Sequence, residues 1–269
     1  MSKFQDEYTI KIYESFIYDN KLYIVMEYFN EGSVQDLIRK NGPLSEEYIC
    51  IILKQVLIAL KYLHDNNKLH RDLKASNIML NRDGSIKLTD FSLSQKFTDI
   101  LSKNKQHLTS LPFWLSPETI KYSKYDAKSD IWSVAITALE MAYGKPPYSD
   151  LPLGSAIFSI TNEELQIDEA FSSQFKEFIK LCLNKVSSER ASCGSLLLTD
   201  FIQRAKKTQF LTEIFDQINQ EQECLYQSMK KAIKSIEKLS PGLTKEIISG
   251  IINEYKKTGA SDFQIFFDC

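Results

Sequence analysis

The segment "HRDLKASN", His70 to Asn77, places a carboxylate, an ammonium group and a carboxamide within one short stretch of the chain. A second short segment, "DFS", begins at Asp90. The first segment follows a strongly apolar stretch that predicts a helix, and two strand-like stretches separate it from the second. Reactive side chains concentrated between regular elements indicate a functional loop. A polar loop without a function is the alternative.

The residue types in these segments are those that transfer of a phosphoryl group requires. The reaction needs a carboxylate to orient and deprotonate an alcohol, a cation near the phosphates and oxygen ligands for magnesium. Asp72 supplies the carboxylate and Lys74 the cation. Asn77 offers a neutral oxygen to a hard metal ion, and Asp90 a charged one. The order H-R-D-L-x-x-x-N followed by D-F is the protein-kinase catalytic signature, and its fixed spacing disfavours a chance match.

Periodic apolar residues predict the elements around these segments. A long helix is expected after Ser45, which can cap it, with Glu46 and Glu47 at its positive end. Its apolar residues recur at helical spacing: Ile49, Ile52, Leu53, Val56, Leu57, Leu60 and Leu63. The stretches "IML" and "IKLT" predict short strands around the turn "NRDGS". "SDIWSVAITALEMAYG" is apolar nearly all round, which predicts a central buried helix.

The N-terminal part predicts a β-hairpin. "TIKIYESFIYDNKLYIVMEYF" reads as two strands, Thr9 to Tyr18 and Leu22 to Tyr28, around a turn at residues 19–20. "GSVQDLIRKNG" predicts a short helix closed by Gly42. Because helical patterns dominate from about residue 127, the expected fold class is mainly α, of the α+β type.

The composition restricts the classes of protein to which the chain can belong. The 269 residues are 43% hydrophobic and 25% charged, which is typical of a soluble globular protein. The net charge of -2 does not indicate binding to nucleic acid or to a membrane. The longest apolar stretch carries Lys54 and Lys61 and is too short to span a bilayer. The five cysteines are scattered and form no C-x-x-C pair, which favours reduced thiols and a cytoplasmic protein.

Residues from about 6 to 202 resemble a eukaryotic protein kinase of the sterile-twenty class, germinal-centre branch. "LYIVMEYFNEGSVQDLIR" resembles the last strand of the family's upper lobe, its hinge and the first helix of its lower lobe. "FTDILSK" resembles the activation segment, and "PFWLSPE", "YDAKSDIWSVAITALEMAYGKPPYSD" and "FKEFIKLCLNKVSSERAS" follow in the family's order. The resemblance implies a kinase lower lobe with a remnant hairpin of the upper lobe.

The resemblance also implies binding of ATP and the residues that serve it. Met26 would be the gatekeeper behind the adenine, and backbone groups of Glu27 and Phe29 would bind the adenine edge. Asp72 would be the catalytic base and Lys74 the contact to the transferring phosphate.

By the same resemblance, Asn77 would act in catalysis as a magnesium ligand together with Asp90. Asp130 would hold the catalytic loop from below. Glu118 and Arg190 would form a buried structural ion pair.

The chain departs from the family pattern in several places. It contains no glycine before Gly32 and no V-A-I-K strand before the hinge, so the first part of the upper lobe is expected to be missing, through truncation or a wrong start. Lys11 and Lys21 are expected to be solvated. The chain alone is therefore expected to bind Mg-ATP weakly and to be weakly active or inactive.

Three smaller departures concern the activation segment. Ser92 replaces the glycine of D-F-G, Leu111 replaces a threonine, and His107 lies where a phosphorylated threonine is usual. Ser92 restricts the backbone where the family uses the freedom of glycine, and Leu111 cannot make the hydrogen bond of the threonine. The histidine at 107 favours loss of regulation by phosphorylation.

The expected domains are an N-terminally truncated kinase domain at 1–202 and a helical tail at 203–269. Within the kinase domain, 1–28 would be the remnant hairpin and 29–202 the lower lobe. The tail carries a heptad-like seam: Leu211, Phe215, Ile218, Leu225, Met229, Ala232, Ile236 and Leu239. Either its two amphipathic helices dock on the lower lobe, or residues 208–258 form a homodimer or bind a partner helix.

Two functions follow. The first is a serine/threonine kinase that transfers the γ-phosphate of ATP to serine or threonine of protein substrates in intracellular signalling. The alternative is a pseudokinase, a scaffold that binds protein partners through the lower lobe and the tail.

Overall fold

The computed structural model describes residues 8–18, 21–89 and 112–220. The chain divides into two compact units, residues 1–212 and 213–269. The expectations for Asp90, Ser92, His107 and Leu111, and for the tail beyond residue 220, lie outside the described residues.

The described elements are mostly helical. In chain order they are β1 (Ile12–Tyr18), β2 (Lys21–Met26), α1 (Val34–Asn41), α2 (Glu46–Asp65), β3 (Ile78–Leu80), β4 (Ile86–Leu88), α3 (Pro117–Tyr122), α4 (Ala127–Tyr143), α5 (Leu153–Asn162), α6 (Ser173–Cys182), α7 (Cys193–Leu196) and α8 (Asp200–Gln203). Short 3-10 turns cover Ala75–Asn77, Pro112–Trp114 and Ser187–Glu189. Residues 210–220 are helical. The predicted mainly α fold class is confirmed.

Helices α2 and α4 pack against each other and form the core of the first unit. Helix α4 is buried nearly all round, as its composition predicts. Asp126 caps its N-terminus by accepting from the backbone N–H groups of Lys128 and Ser129, and Gly144 ends it in the left-handed conformation. The helix that carries most of the polar contacts described below is therefore fixed at both ends.

The start of α2 differs from the sequence-based expectation. Ser45 does occupy the N-cap position, but its side chain makes no capping hydrogen bond. The backbone carbonyl of Ser45 instead accepts from the N–H groups of Tyr48 and Ile49. The Glu46 carboxylate accepts from the backbone N–H of Ser172, at 2.8 Å, so the first turn of α2 is tied to the start of α6.

The predicted hairpin forms, with β1 antiparallel to β2, but it is shorter than expected. Residues 8–10 lie before β1 and pair with β4. The backbone N–H of Ile10 donates to the Leu88 carbonyl at 3.0 Å, and that of Leu88 donates to the Tyr8 carbonyl at 2.9 Å. The root of the hairpin is therefore joined to the sheet of β3 and β4. Farther out, apolar side chains such as Ile17 and Tyr18 are exposed.

The buried ion pair between Glu118 and Arg190 is confirmed. Two parallel hydrogen bonds join the groups, at 2.8 Å and 3.1 Å, and Arg190 is 1% exposed. Burial raises the pKa of Glu118, but the hydrogen bonds, led by that from Arg190, outweigh burial and leave the pKa below its ordinary value. The pair therefore remains ionised and links α3 to the segment before α7.

Gly84, in the turn between β3 and β4, provides a test of the packing in this part of the fold. Its φ is +77°, and a Cβ added there would lie 2.1 Å from the Thr208 carbonyl oxygen. Gly84→Ala should therefore cost the strain of a left-handed alanine, about 1–2 kcal/mol, and roughly 1–3 kcal/mol more for displacing the Thr208 peptide.

Gly144→Ala is the matched control, because its φ is +81° and its nearest neighbour would be Pro43 Cγ at an ordinary 3.5 Å. Urea denaturation of both variants measures the difference in the free energy of unfolding. Equal losses would contradict the close approach of Thr208 to the turn.

Candidate active site

The loop at 70–77 rests on the buried carboxylate of Asp130, in the first turn of α4. The backbone N–H groups of His70 and Arg71 each donate to it at 2.9 Å. His64 Nε2 lies 2.8 Å from Oδ2, and the Tyr125 hydroxyl donates to Oδ1 at 2.5 Å. Asp130 is 0% exposed. The prediction that Asp130 holds this loop from below is confirmed.

Electrostatics keep this carboxylate ionised. Burial raises the pKa of Asp130, but the hydrogen bond with His64 and the interactions with His70 and Tyr125 outweigh it, and the net pKa is lowered. Arg71 has a φ of +71°, which is rare for a residue with a side chain. The two successive N–H groups that converge on Asp130 offset this strain.

The loop brings together three of the residues predicted for the site. Lys74 Nζ lies 3.0 Å from Asp72 Oδ2. The Asn77 side-chain Nδ2 donates to the same oxygen at 2.9 Å and to the Asp72 backbone carbonyl at 2.7 Å. The Asp72 side chain remains 45% exposed, so the carboxylate is oriented from two sides and open to solvent on another.

Asn77 is oriented in a way that suits a hard cation. Because its Nδ2 is used in the two bonds to Asp72, its Oδ1 is on the opposite side of the amide group, with Ser76 Oγ at 3.5 Å. An amide oxygen is an acceptable ligand for magnesium. Asp90, the other expected ligand, lies outside the described residues.

The expected hinge residues follow β2. The Phe29 side chain is buried, whereas Met26 is 40% exposed. The Glu27 carboxylate accepts from Lys87 Nζ at 2.8 Å and 3.0 Å, which ties the hinge to β4. Farther along, Leu80 donates to the Gly32 carbonyl at 2.8 Å. The hinge is therefore fixed to the β3–β4 sheet, while Met26 is only partly covered by the described residues.

Sequence reasoning missed Glu140, which lies on α4 beneath the loop. Its Oε2 accepts from the backbone N–H of Ala75 at 3.0 Å and from Trp114 Nε1–H at 2.9 Å. Burial raises the pKa of Glu140, and the two hydrogen bonds and Lys74 only partly offset that rise. The signal in the sequence was a second carboxylate, close to the C-terminal end of a mostly apolar helix, which needs a buried partner.

The chain is similar to known proteins over most of its length. Residues 1–202 match the family model described as the protein kinase domain. The chain therefore belongs to the protein kinase family.

Two relatives support the predicted sterile-twenty class. The serine/threonine-protein kinases cst-1 of Caenorhabditis briggsae and Caenorhabditis elegans are each 43% identical to it over 209 residues. The aligned region covers 76% of this chain and 42% of each relative, so the chain matches less than half the length of these curated relatives.

The tail has a separate likeness. Residues 210–258 match the family model described as the dimerisation domain of programmed cell death protein 10. In the parts of the chain that the structure describes, no helix combines the length and the apolar character needed to cross a bilayer.

Asp130→Asn tests the support of the loop. An asparagine keeps one acceptor oxygen but loses the charge and at least one hydrogen bond to the successive N–H groups, so we expect a loss of about 3 kcal/mol in the free energy of unfolding. The control is Asp126→Asn on the same helix, since asparagine caps a helix as well as aspartate does. Chemical denaturation followed by circular dichroism compares the two. A loss no larger than that of the control would show that the loop does not depend on Asp130.

Proposed function

We propose that the chain carries a serine/threonine kinase domain of the sterile-twenty class that transfers the γ-phosphoryl group of ATP to protein serine or threonine residues. One observation carries the proposal: Lys74 and Asn77 converge on the exposed carboxylate of Asp72, in a loop supported by Asp130. A carboxylate held in one orientation but open to solvent suits an acceptor hydroxyl better than a structural role.

The proposed chemistry uses the loop residues directly. Asp72 would orient the acceptor hydroxyl and accept its proton as the oxygen attacks the γ-phosphorus of ATP, while the bond from that phosphorus to the β,γ-bridging oxygen breaks and ADP leaves. Lys74, at 3.0 Å from Asp72, would place its ammonium beside the phosphoryl group and balance its negative charge. Because both groups belong to one short loop, their relative positions are set before any substrate binds.

Protein kinases as a family use ATP and magnesium. In this chain, Asn77 and Asp90 would hold the magnesium ion, which supplies positive charge to the phosphates. Met26 and the backbone groups of Glu27 and Phe29 would contact the adenine. The Asn77 amide orientation supports its part in this assignment.

The proposed domains are a kinase domain at residues 1–202 and a helical tail at residues 203–269. The match to the kinase family ends at residue 202, which supports this end of the kinase domain. The described cysteines are free thiols: Cys50, Cys182 and Cys193. Free thiols support a cytoplasmic location.

The alternative function is a pseudokinase that binds protein partners. The exposed apolar side chains of β1 and β2 favour it, since such surfaces mark interaction sites.

Asp72→Asn separates these two functions. If Asp72 is the base, phosphoryl transfer to casein in the presence of Mg-ATP should fall roughly 100-fold or more. The fold should persist, because asparagine can still accept from Asn77. Asp65→Asn is the control: this exposed carboxylate pairs with Lys61 on the surface, and such pairs contribute little. Equal activity of the two variants would contradict the assignment of Asp72, whereas a scaffold would keep its partner binding in both.

We also propose that residues 208–258 form a homodimer, supported by the dimerisation-domain likeness of 210–258 and by the seam that begins at Leu211. Sedimentation of the full chain over a range of concentrations should show a monomer–dimer equilibrium. The double variant Ile218→Asp, Leu225→Asp should shift this equilibrium to the monomer without lowering the thermal midpoint of the kinase domain. Asn219→Asp, at an exposed position outside the seam, should leave it unchanged. A monomer at every concentration, with the seam variants destabilising the whole chain, would favour docking of the tail on the lower lobe.

A further inference from the structure

Glu140 is a buried charge that two separate segments share. It is 3% exposed and lies on α4 between the buried apolar residues Leu139 and Met141. A single oxygen, Oε2, accepts from Ala75 in the loop and from the Trp114 indole in the turn 112–114. Since an apolar residue would pack in this helix without a desolvation cost, the charge indicates a task other than packing.

Both hydrogen bonds are made by residues that adjoin Lys74. Ala75 follows Lys74 directly in the chain, so the bond from its N–H fixes the peptide on the C-terminal side of Lys74. The Trp114 ring lies on another side, with its centroid 6.0 Å from Lys74 Nζ. Lys74 in turn lies 3.0 Å from Asp72 Oδ2. The position of the ammonium group therefore depends on two neighbours that Glu140 orients.

Helix α4 holds the Trp114 turn at a second point. Ser133 Oγ donates to the Trp114 backbone carbonyl at 2.8 Å. With the indole N–H bound to Glu140 at 2.9 Å, both the backbone and the ring of Trp114 are anchored to the same rigid helix. The ring is thereby kept beside the loop.

We propose that Glu140 is a positioning residue, whose carboxylate ties the loop at Ala75 to the turn at Trp114 and so holds Lys74 beside Asp72 for phosphoryl transfer. The proposal rests on the proposed kinase function and extends it to a residue on α4 whose carboxylate bonds to Ala75 and Trp114.

Glu140→Gln distinguishes this role from a purely structural one. The variant keeps the size of the side chain and an acceptor oxygen but removes the charge, which weakens both hydrogen bonds. Because burial raises the pKa of Glu140, the ionised form is less favourable in the folded than in the unfolded chain, and stability falls as pH rises through the folded pKa. A neutral glutamine avoids that loss, so at pH 7 the thermal midpoint should not decrease. A structural role would lower it.

The kinetic readout is transfer to casein by the full chain. In Glu140→Gln we expect kcat to fall about 10-fold, while KM for ATP stays unchanged because the expected adenine contacts are on the hinge. Thr137→Val is the control, since this buried hydroxyl donates to the Ser133 carbonyl within α4, and it should keep kcat. Trp114→Phe should lower kcat in the wild-type chain but have almost no further effect in Glu140→Gln. Additive effects of the two substitutions would overturn the proposal.

Hydrogen–deuterium exchange of the full chain without ligand provides a readout independent of activity. In Glu140→Gln, amide exchange should accelerate in the peptides covering 73–77 and 112–116 and stay unchanged in the peptides that cover α4. Unchanged exchange in both segments would overturn the proposal. If the wild-type chain transfers no phosphate, the kinase function fails, and the exchange result still decides whether Glu140 ties the two segments together.

Discussion

A single buried carboxylate, Asp130, is the constraint on which the candidate site depends. It accepts from two successive backbone N–H groups, those of His70 and Arg71, and this pairing requires Arg71 to adopt a left-handed conformation. An ionised group without access to water must have all its partners in place. The loop therefore has one favourable shape, and the relative positions of Asp72 and the residues that follow it are set by that shape.

Helix α4 is the platform that carries this constraint. Asp130, Ser133 and Glu140 lie on one buried helix and reach the loop or the turn at 112–114 at different heights along its axis. An α-helix has a fixed rise per residue, so the distances between these anchoring points are fixed as well. The loop that carries Lys74 and the turn at 112–114 are consequently positioned by a rigid element in the core and not by contacts at the surface.

The β1–β2 hairpin is the opposite case. Its root is joined to β4 through backbone bonds to Leu88, and its hinge through the Glu27–Lys87 ion pair, but large apolar side chains of both strands are exposed. A two-stranded hairpin is marginal in water unless another surface covers it. Stability is thus distributed unevenly, with a firmly packed helical core and a hairpin held mainly at one end.

The sequence by itself determined the features that depend on local spacing. The burial of α4 follows from its composition, and Asp72, Lys74 and Asn77 were predicted together because they share one short loop. Tertiary structure alone decided the long-range partners. No periodicity shows that Glu140 meets Ala75, or that the chain before β1 pairs with β4, because these groups are far apart in sequence and meet only once the helices have packed. Apolar periodicity specifies which face is buried, whereas packing decides which polar groups meet there.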